Sequence, residues 1–296
     1  MSARDISRAL HGIRNGKGFL CRCPVPSHGR GKGDRNPSLS IADGDKGLLV
    51  RCFAGCAARN VLAELRGRGL LDDGQRLSRR REVSRAAPPP DPEPEPDARA
   101  LELWRAAIPA KRTLVEVYLR SRGITIEIPP TLRFIPSLDY LPRVAFPVMV
   151  AAVQRPDRQV IACQVTFLKL DGIGKANISS PRKTIGKLGS GAVRLGPAGD
   201  AVALAEGTET ALAVMQLSGM ICWASLGATR IHTIRLPSTV REVWHFPDSD
   251  DAGLTSVSKV FAAFSPVRRV VMQSPPKGFG DWNDYLNKKE LEKCTA

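Results

Sequence analysis

The sequence predicts an α/β protein built from several domains, and three observations lead to this prediction. Four cysteines and His28 lie within the first 56 residues. A segment of alternating proline and acidic residues follows at 84–98. From about residue 198 onward, apolar β-branched runs alternate with helix-like segments, which is typical of a parallel sheet covered by helices on both faces. A chain of 296 residues is long enough for two or three domains, each with its own core.

The N-terminal domain, predicted over residues 1–80, is a small β-module with the ligands of a metal site. The segments CRCPVPSH and RCFAGC supply thiol and imidazole groups in two pairs, and the run between them reads as a β-hairpin that brings the pairs together. Soft thiolates and one imidazole in a tetrahedral set favour Zn2+ as a structural cofactor. The expected zinc ligands are Cys23, His28, Cys52 and Cys56. Cys21 is the spare cysteine, and the alternative is that it replaces one member of this set.

A linker and a middle domain come next. Alternating proline and acid over residues 81–98 favour an extended, semi-rigid spacer, because proline fixes φ and lacks a backbone donor. Residues 99–197 are predicted to be a basic α+β domain. It has two helices, DARALELWRAAIPA and RTLVEVYLRSRGI, and a hairpin formed by the apolar runs RVAFPVMVAAV and QVIACQVTFLKL. The glycine-rich, basic run at 172–196 is predicted to be a surface loop.

The C-terminal domain, residues 198–296, is predicted to be a parallel α/β sheet. Ligands of such sheets lie beyond the carboxyl ends of the strands. Glu206 ends the strand-like run AVALAEG, while Asp248 and Asp250 follow the strand-like run REVWH and share one face of an extended chain. Crowded carboxylates repel one another unless a cation lies between them, and oxygen ligands suit Mg2+ or Mn2+. The sequence therefore predicts a divalent-metal site formed by these three acids.

Three further aspartates lie near these acids. Asp251 is expected to cap the helix that starts near residue 252, because a side-chain oxygen at that position satisfies a free backbone N–H. The segment GDWND places Asp281 and Asp284 before the last helix. Both are weaker candidates for the metal site, because capping and solvation explain them equally well.

The charge of the chain favours a polyanionic partner. Lys and Arg number 44 against 29 Asp and Glu, a formal net charge of +15, and residues 1–80 alone carry 16 basic and 7 acidic side chains. Such an excess usually indicates nucleic acid, with a solubilising surface as the alternative. No apolar run approaches the roughly 20 residues that span a bilayer. The first residues lack the apolar region of a secretory signal, so we expect a cytoplasmic protein with no membrane partner.

The N-terminal motifs resemble the zinc-binding domain of bacterial-type DNA primases. The shared pattern is CPVPSH, then RNPSLSI, then RCFAGC, over about residues 18–70. Two spacings depart from the family, with C-x4-H in place of C-x2-H and C-x3-C in place of C-x2-C. The wider spacing changes the loop but not the ligand types. In the family this domain helps engage the single-stranded template.

The C-terminal acids resemble those of the Toprim domain, which bacterial-type primases share with type IA and II topoisomerases and some nucleases. The family has Glu-Gly after one strand and Asp-x-Asp after another, here Glu206-Gly207 and Asp248-Ser249-Asp250, within about residues 198–290. Each motif alone is weak. Together they are specific for a Toprim domain, because they occur in the family's order, at strand ends, and in the same chain as a primase-like zinc module.

The resemblance implies a compact DNA primase, of the kind found in phages and plasmids, that makes short RNA primers on single-stranded DNA from NTPs. It implies structural Zn2+, catalytic Mg2+ or Mn2+ held by the three acids, and a replicative helicase as a candidate partner. By the same resemblance, the basic segment before the Toprim domain contacts template or nucleotide through Arg182, Lys183, Lys187 and Arg194. For these four the alternative is a solvated loop.

Two other functions stay open at the level of sequence. One is a different Toprim enzyme, namely a metal-dependent nuclease. The other is a zinc-dependent nucleic-acid-binding replication protein without catalytic activity. The presence of all three metal-holding acids argues against this alternative. The sequence has no Walker A motif, so we expect no ATP-driven helicase activity.

Overall fold

The computed structural model describes residues 2–15, 18–28, 33–34, 37–44, 47–71 and 93–295. Most of the predicted linker therefore lies outside the described residues. Residues 93–97, at its end, are extended and lead into a helix at which Asp97 is the N-cap. Within the described ranges, no helix is both long and apolar enough to cross a bilayer.

The N-terminal part is a four-stranded antiparallel sheet with two helices. Helix α1 (Ala3–Ala9) precedes β1 (Ile13–Asn15), β2 (Gly18–Cys21), β3 (Leu39–Gly44) and β4 (Gly47–Cys52), and α2 (Ala58–Gly67) follows. The strands pair in the order β1-β2-β3-β4. Because β3 and β4 pair with Leu39 opposite Cys52, the start of β3 lies beside the second pair of metal ligands. The predicted hairpin between the ligand pairs is confirmed.

The remaining strands form one ten-stranded sheet. Neighbouring strands along it are β14 (Arg269–Met272), β13 (Glu242–Phe246), β11 (Ala201–Ala205), β12 (Cys222–Ala224), β10 (Ala192–Arg194), β7 (Val144–Gln154), β6 (Leu132–Leu141) and β5 (Ile108–Pro109). Beside this path, β8 (Val160–Phe167) pairs with β7 and with β9 (Arg182–Ile185). The first half contains α3 (Ala98–Ala106), β5 (Ile108–Pro109), α4 (Leu114–Ser121), β6 (Leu132–Leu141), β7 (Val144–Gln154) and β8 (Val160–Phe167). The antiparallel β7–β8 pair confirms the predicted apolar hairpin.

The prediction of a loop over residues 172–196 is wrong in part. This run contains β9 (Arg182–Ile185), which pairs with the free edge of β8, and β10 (Ala192–Arg194), which lies between β7 and β12. Glycine and basic residues disfavour a strand by local preference, but an unpaired neighbouring edge supplies the backbone hydrogen bonds that local preference does not count.

The second half of the sheet is parallel, as predicted. It comprises β11 (Ala201–Ala205), α5 (Thr208–Ser218), β12 (Cys222–Ala224), β13 (Glu242–Phe246), α6 (Asp251–Phe264), β14 (Arg269–Met272) and α7 (Trp282–Thr295). Strand β11 pairs in parallel with both β12 and β13, and β13 with β14. Helices α5 and α7 pack with one core cluster, and α6 with a second one that includes a 3-10 helix at Ala228–Thr233. Helices therefore cover both faces.

The N-terminal module packs against the C-terminal part through a small apolar cluster. Leu20 and Phe53 of the module contact Val257, Phe261 and Met272 of the C-terminal part. The rings of Phe53 and Phe261 lie 5.5 Å apart between centroids. Helix α6 is thus the element on which the module rests.

Candidate functional site

Four side chains of the N-terminal module converge as predicted. Cys23, His28, Cys52 and Cys56 each offer one ligand atom, and these four atoms all lie within 4.8 Å of one another. The first three residues are buried and Cys56 is half-buried. The turn after Cys23 and the β3–β4 pairing bring together ligands that are distant in sequence.

The geometry of this cluster fits a tetrahedral zinc ion. His28 Nδ1 lies 3.3 Å from Cys56 Sγ and 3.6 Å from Cys52 Sγ. Ligands at Zn–S of about 2.3 Å and Zn–N of about 2.0 Å would stand about 3.5 Å apart in a tetrahedron. A hydrogen bond from Cys23, followed by backbone N–H groups of Cys56 and Ala54, lowers the pKa of the Cys52 thiol. One thiolate is therefore already favoured where a metal needs one.

Cys21 is not part of the cluster. It is fully buried at the end of β2, and burial raises the pKa of its thiol to about 11. A methyl group placed on Gly12 would clash with Cys21 Sγ, so the thiol packs against the turn after α1. In an extended chain Cys21 and Cys23 would share one face, but β2 ends at Cys21, so Cys23 lies outside the strand. Cys21 is thus a core residue.

The three predicted acids meet at one edge of the parallel sheet. Ala205 pairs with Phe246 in the β11–β13 ladder, so Glu206 and Asp248 follow neighbouring strands at the same end. The backbone N–H of Ser249 donates to Gly280 O at 2.7 Å, which ties the loop with Asp248 to the loop that leads to Asp281. We call the space at this edge the acidic crevice, lined by Glu206, Asp248, Asp250, Asp281 and Asp284.

The electrostatics of the acidic crevice show that these carboxyl groups act on one another. Burial, followed by the charges of Glu206 and Asp281, raises the pKa of Asp248 to about 7. Burial and the charge of Asp250 also raise the pKa of Glu206. Within the described part of the chain, Glu206 Oε2 and Asp248 Oδ1 are buried and accept no hydrogen bond. Unpartnered buried oxygens that repel one another are suited to a bound cation.

Two of these acids also cap helices. Asp250, not Asp251, is the N-cap of α6, and its Oδ1 accepts the N–H of Gly253 at 2.7 Å. The prediction that Asp251 caps this helix is therefore wrong by one residue, because α6 already begins at Asp251. Asp281 Oδ1 accepts the N–H of Asp284 at 2.8 Å in the same way. Each cap engages one carboxylate oxygen and leaves the other available to a ligand.

The four predicted basic residues do not share one surface. Arg182 lies beside the acidic crevice: its guanidinium would be 3.9 Å from a methyl group built on Gly207. Its positive charge lowers the pKa of Glu206, although burial, the larger effect, raises that pKa. Lys183, on the opposite face of β9, lies 3.9 Å from the ring centre of Tyr140. Lys187 is exposed.

Arg194 is buried within the sheet. Its guanidinium stacks on Trp223 at 4.3 Å and donates to Pro156 O, and only 7% of the residue is exposed. Packing against an indole ring and a backbone carbonyl accounts for its position. Little of this side chain remains for a phosphate to contact, so of the predicted basic set Arg182 is the one that the fold brings to the acids.

The structure adds a buried ion pair that the sequence analysis did not identify. Glu209, in the first turn of α5, accepts the hydroxyl of Tyr118 at 2.6 Å and pairs with Lys175 at 3.0 Å. Although burial opposes ionisation, the Lys175 ammonium and the Tyr118 hydroxyl hold the pKa of Glu209 at about 2. Its position three residues after Glu206 was the available signal, but its partners come from distant parts of the chain.

Comparison with known families and structures gives the following similarities. Residues 201–291 match the family model of the Toprim domain, and residues 95–195 match a domain of unknown function, DUF7146. The search of curated proteins yields no match. The zinc-binding and RNA polymerase domains of the Aquifex aeolicus primase are 17% identical over 99% of this chain and 82% of that chain, with a TM-score of 0.43.

Further similar structures are also primases. A DNA primase domain from Pseudomonas aeruginosa is 14% identical over 66% of this chain and 76% of that chain, with a TM-score of 0.44. The RNA polymerase domain of the Mycobacterium tuberculosis primase is 16% identical over 68% and 67%, with a TM-score of 0.36. Residues 201–291 thus match the Toprim family in the part of the chain where the sequence predicts a Toprim domain.

Proposed function

We propose that the protein is a DNA primase that joins ribonucleotides on a single-stranded DNA template at the acidic crevice. The observation that carries this proposal is the pair of buried, unpartnered oxygens, Glu206 Oε2 and Asp248 Oδ1, at one edge of the Toprim sheet. Their mutual repulsion is relieved by a divalent cation. Mg2+ or Mn2+ bound there would neutralise phosphate charge during an in-line displacement.

The residues of the chain have distinct parts in this reaction. Glu206, Asp248 and the free oxygen of Asp250 would hold the ions, which would supply positive charge to the nucleotide phosphates. The 3′-hydroxyl of one nucleotide attacks the α-phosphorus of an incoming NTP, a P–O bond forms, and pyrophosphate leaves. In this proposal Glu206 also assists the transfer of the hydroxyl proton, and its raised pKa is consistent with that part. Arg182, beside Gly207, offers a positive charge to the triphosphate.

The zinc module and the charge of the chain support a nucleic-acid template. Cys23, His28, Cys52 and Cys56 would hold Zn2+, whose part is structural, and the module around them is rich in basic residues. Helix α6 carries this module on one end and begins at the acidic crevice on the other. A template held by the module would therefore lie near the acids. We place this activity in the cytoplasm, where NTPs and replicating DNA are found.

Synthesis of labelled RNA on single-stranded DNA with Mg2+ or Mn2+ tests the proposal. The test variant is Asp248→Asn combined with Asp250→Asn, because asparagine retains the helix cap at residue 250. The matched control is Asp251→Asn, which removes a neighbouring charge outside the predicted metal set. We expect the double variant to lose synthesis and the control to retain it. Undiminished synthesis by the double variant would refute the mechanism.

The same assay separates the alternatives. A Toprim nuclease would cut labelled DNA with Mg2+ in the absence of NTPs, and the double variant would stop doing so. A non-catalytic replication protein would bind single-stranded DNA without any metal-dependent product. A replicative helicase as partner stays a prediction of the primase resemblance.

A further inference from the structure

A carboxylate outside the predicted ligand set is buried beside the zinc site. Asp34 lies between the two ligand pairs in sequence, and its side chain is only 4% exposed. Its Oδ2 accepts three hydrogen bonds, from the N–H of Cys23 at 2.6 Å, the N–H of Ser38 at 3.2 Å and the hydroxyl of Ser38 at 2.6 Å. One oxygen therefore ties the first ligand, Cys23, to the residue before β3.

The other oxygen of Asp34 faces the histidine of the cluster. His28 Nε2 lies 3.5 Å from Asp34 Oδ1 and 3.4 Å from the Ser38 hydroxyl. The opposite ring nitrogen, Nδ1, is the one directed at the thiols of Cys52 and Cys56. The imidazole therefore lies between the sulfur ligands on one side and a buried carboxylate on the other.

A metal-binding imidazole must present a lone pair to the ion, so its proton is on the other nitrogen. In this module the lone pair belongs at Nδ1 and the proton at Nε2. A carboxylate that accepts this proton fixes both the tautomer and the plane of the ring, and it increases the basicity of the nitrogen that binds the metal. Asp34 Oδ1 is the carboxylate oxygen in that position.

We propose that Asp34 is a positioning residue of the zinc site, which orients His28 through Nε2 and holds the backbone of Cys23 with its second oxygen. This proposal rests on zinc at the four-residue cluster and is independent of primer synthesis. The residue thus acts on two of the four ligands without touching the ion. The competing explanation is that Asp34 only links Cys23 to Ser38 through its hydrogen bonds and has no effect on His28.

Asp34→Asn distinguishes the two explanations. Because Oδ2 accepts three hydrogen bonds, the amide oxygen takes that place and keeps the loop closed, while the amide NH2 turns to His28 Nε2. Two donors then face each other, and His28 loses its carboxylate acceptor and keeps only the Ser38 hydroxyl, 3.4 Å from Nε2. Asp43→Asn is the matched control, since Asp43 belongs to the same module and accepts the N–H of Ala3 at 2.8 Å.

The experiment uses the full chain and Zn2+ titrated against a chromophoric chelator. We expect Asp34→Asn to bind Zn2+ about 10- to 100-fold more weakly, as for other outer carboxylates of zinc sites, and Asp43→Asn to bind it as the wild type does. Titration with Co2+, followed by its thiolate charge-transfer absorption, should give the same order. If the Kd of Asp34→Asn for Zn2+ lies within about twofold of the wild-type value, Asp34 does not position His28 and the proposal is wrong.

A second measurement needs no variant and so does not depend on whether Asp34→Asn folds. Nitrogen-15 NMR of the zinc-loaded wild type reports which ring nitrogen of His28 carries the proton. We expect the proton on Nε2 and the metal on Nδ1. A proton on Nδ1, or a wild-type chain that does not bind Zn2+, would overturn the proposal.

Discussion

Acidification should weaken divalent-metal binding at the acidic crevice. Burial, followed by the charges of Glu206 and Asp281, raises the pKa of Asp248 to about 7. A carboxyl with that pKa is about 90% ionised at pH 8 and about 10% ionised at pH 6. Because only the ionised form holds the metal, the Kd for Mg2+ or Mn2+ should rise about tenfold over this range, or about 1.4 kcal/mol. The raised pKa of Glu206 can only steepen this dependence.

Calorimetric titration of the zinc-loaded protein with Mg2+, or paramagnetic resonance with Mn2+, measures this Kd. Titration in buffers of different ionisation enthalpy also counts the protons released. About one proton should leave per ion bound at pH 6 and about a tenth of one at pH 8. Equal affinity at the two pH values, without proton release at pH 6, would refute the proposed coupling of the acids.

The same pKa has a consequence for the stability of the protein without divalent metal. Because the pKa of Asp248 is higher in the folded chain than its usual value of 3.8, the neutral form favours folding, and this contribution is lost as the pH rises through about 7. Asp248→Asn should therefore raise the Tm at pH 8 more than at pH 5. Mg2+ should stabilise the wild type at pH 8 but not this variant. An equal change in Tm at both pH values would contradict the assignment.

Three further predictions concern the packing around the site. Phe53→Ala removes the contact with Phe261 and should lower the free energy of unfolding by about 3 kcal/mol. Backbone hydrogen exchange in α6 should become faster in this variant, whereas in the control Phe19→Ala it should stay as slow as in the wild type. Tyr118→Phe deprives the buried Glu209 of a donor at 2.6 Å and should cost about 1.5–3 kcal/mol in denaturant unfolding, and no loss would contradict an ionised Glu209. Removal of zinc by a chelator should unfold the N-terminal module while the circular dichroism of the Toprim sheet persists, since the module has a small core of its own.

The cluster of candidate zinc ligands could be predicted because few residue types bind zinc. Cysteine and histidine in two short clusters, with a hairpin between them, leave few arrangements, and four of the five candidates converge as expected. The sequence analysis set Cys21 aside as the spare cysteine and left open that it replaces a ligand; the structure excludes it from the cluster, because the strand ends at this residue and the alternation that would relate it to Cys23 stops there. The acids at the strand ends were predictable for a related reason, since parallel strands place successive carboxyl ends on one edge of the sheet.

The remaining site residues depend on contacts that are distant in sequence. Asp34 has no pattern of its own, and its importance comes from four contacts with residues on either side of a loop. Glu209 lies beside the predicted Glu206, but Tyr118 is 91 positions away. Arg194 looks like its basic neighbours in sequence, and only the pairing of β10 inside the sheet buries it against Trp223. The local sequence shows which chemical groups are present, but it does not show on which side of a sheet each side chain lies.

Helix α6 lies between the cluster of Cys23, His28, Cys52 and Cys56 and the acidic crevice. Phe53 lies between the zinc ligands Cys52 and Cys56 and packs on Phe261, while Asp250 caps the same helix at the acidic crevice. Ten residues separate the helix start at Asp251 from Phe261, which is about 15 Å along a helix at about 1.5 Å per residue. Zinc held by Cys52 and Cys56 would order the loop that carries Phe53, so we expect loss of zinc to weaken the contact between Phe53 and Phe261. The position of the module relative to the acids is therefore set by side-chain packing on α6 and does not depend on the linker alone.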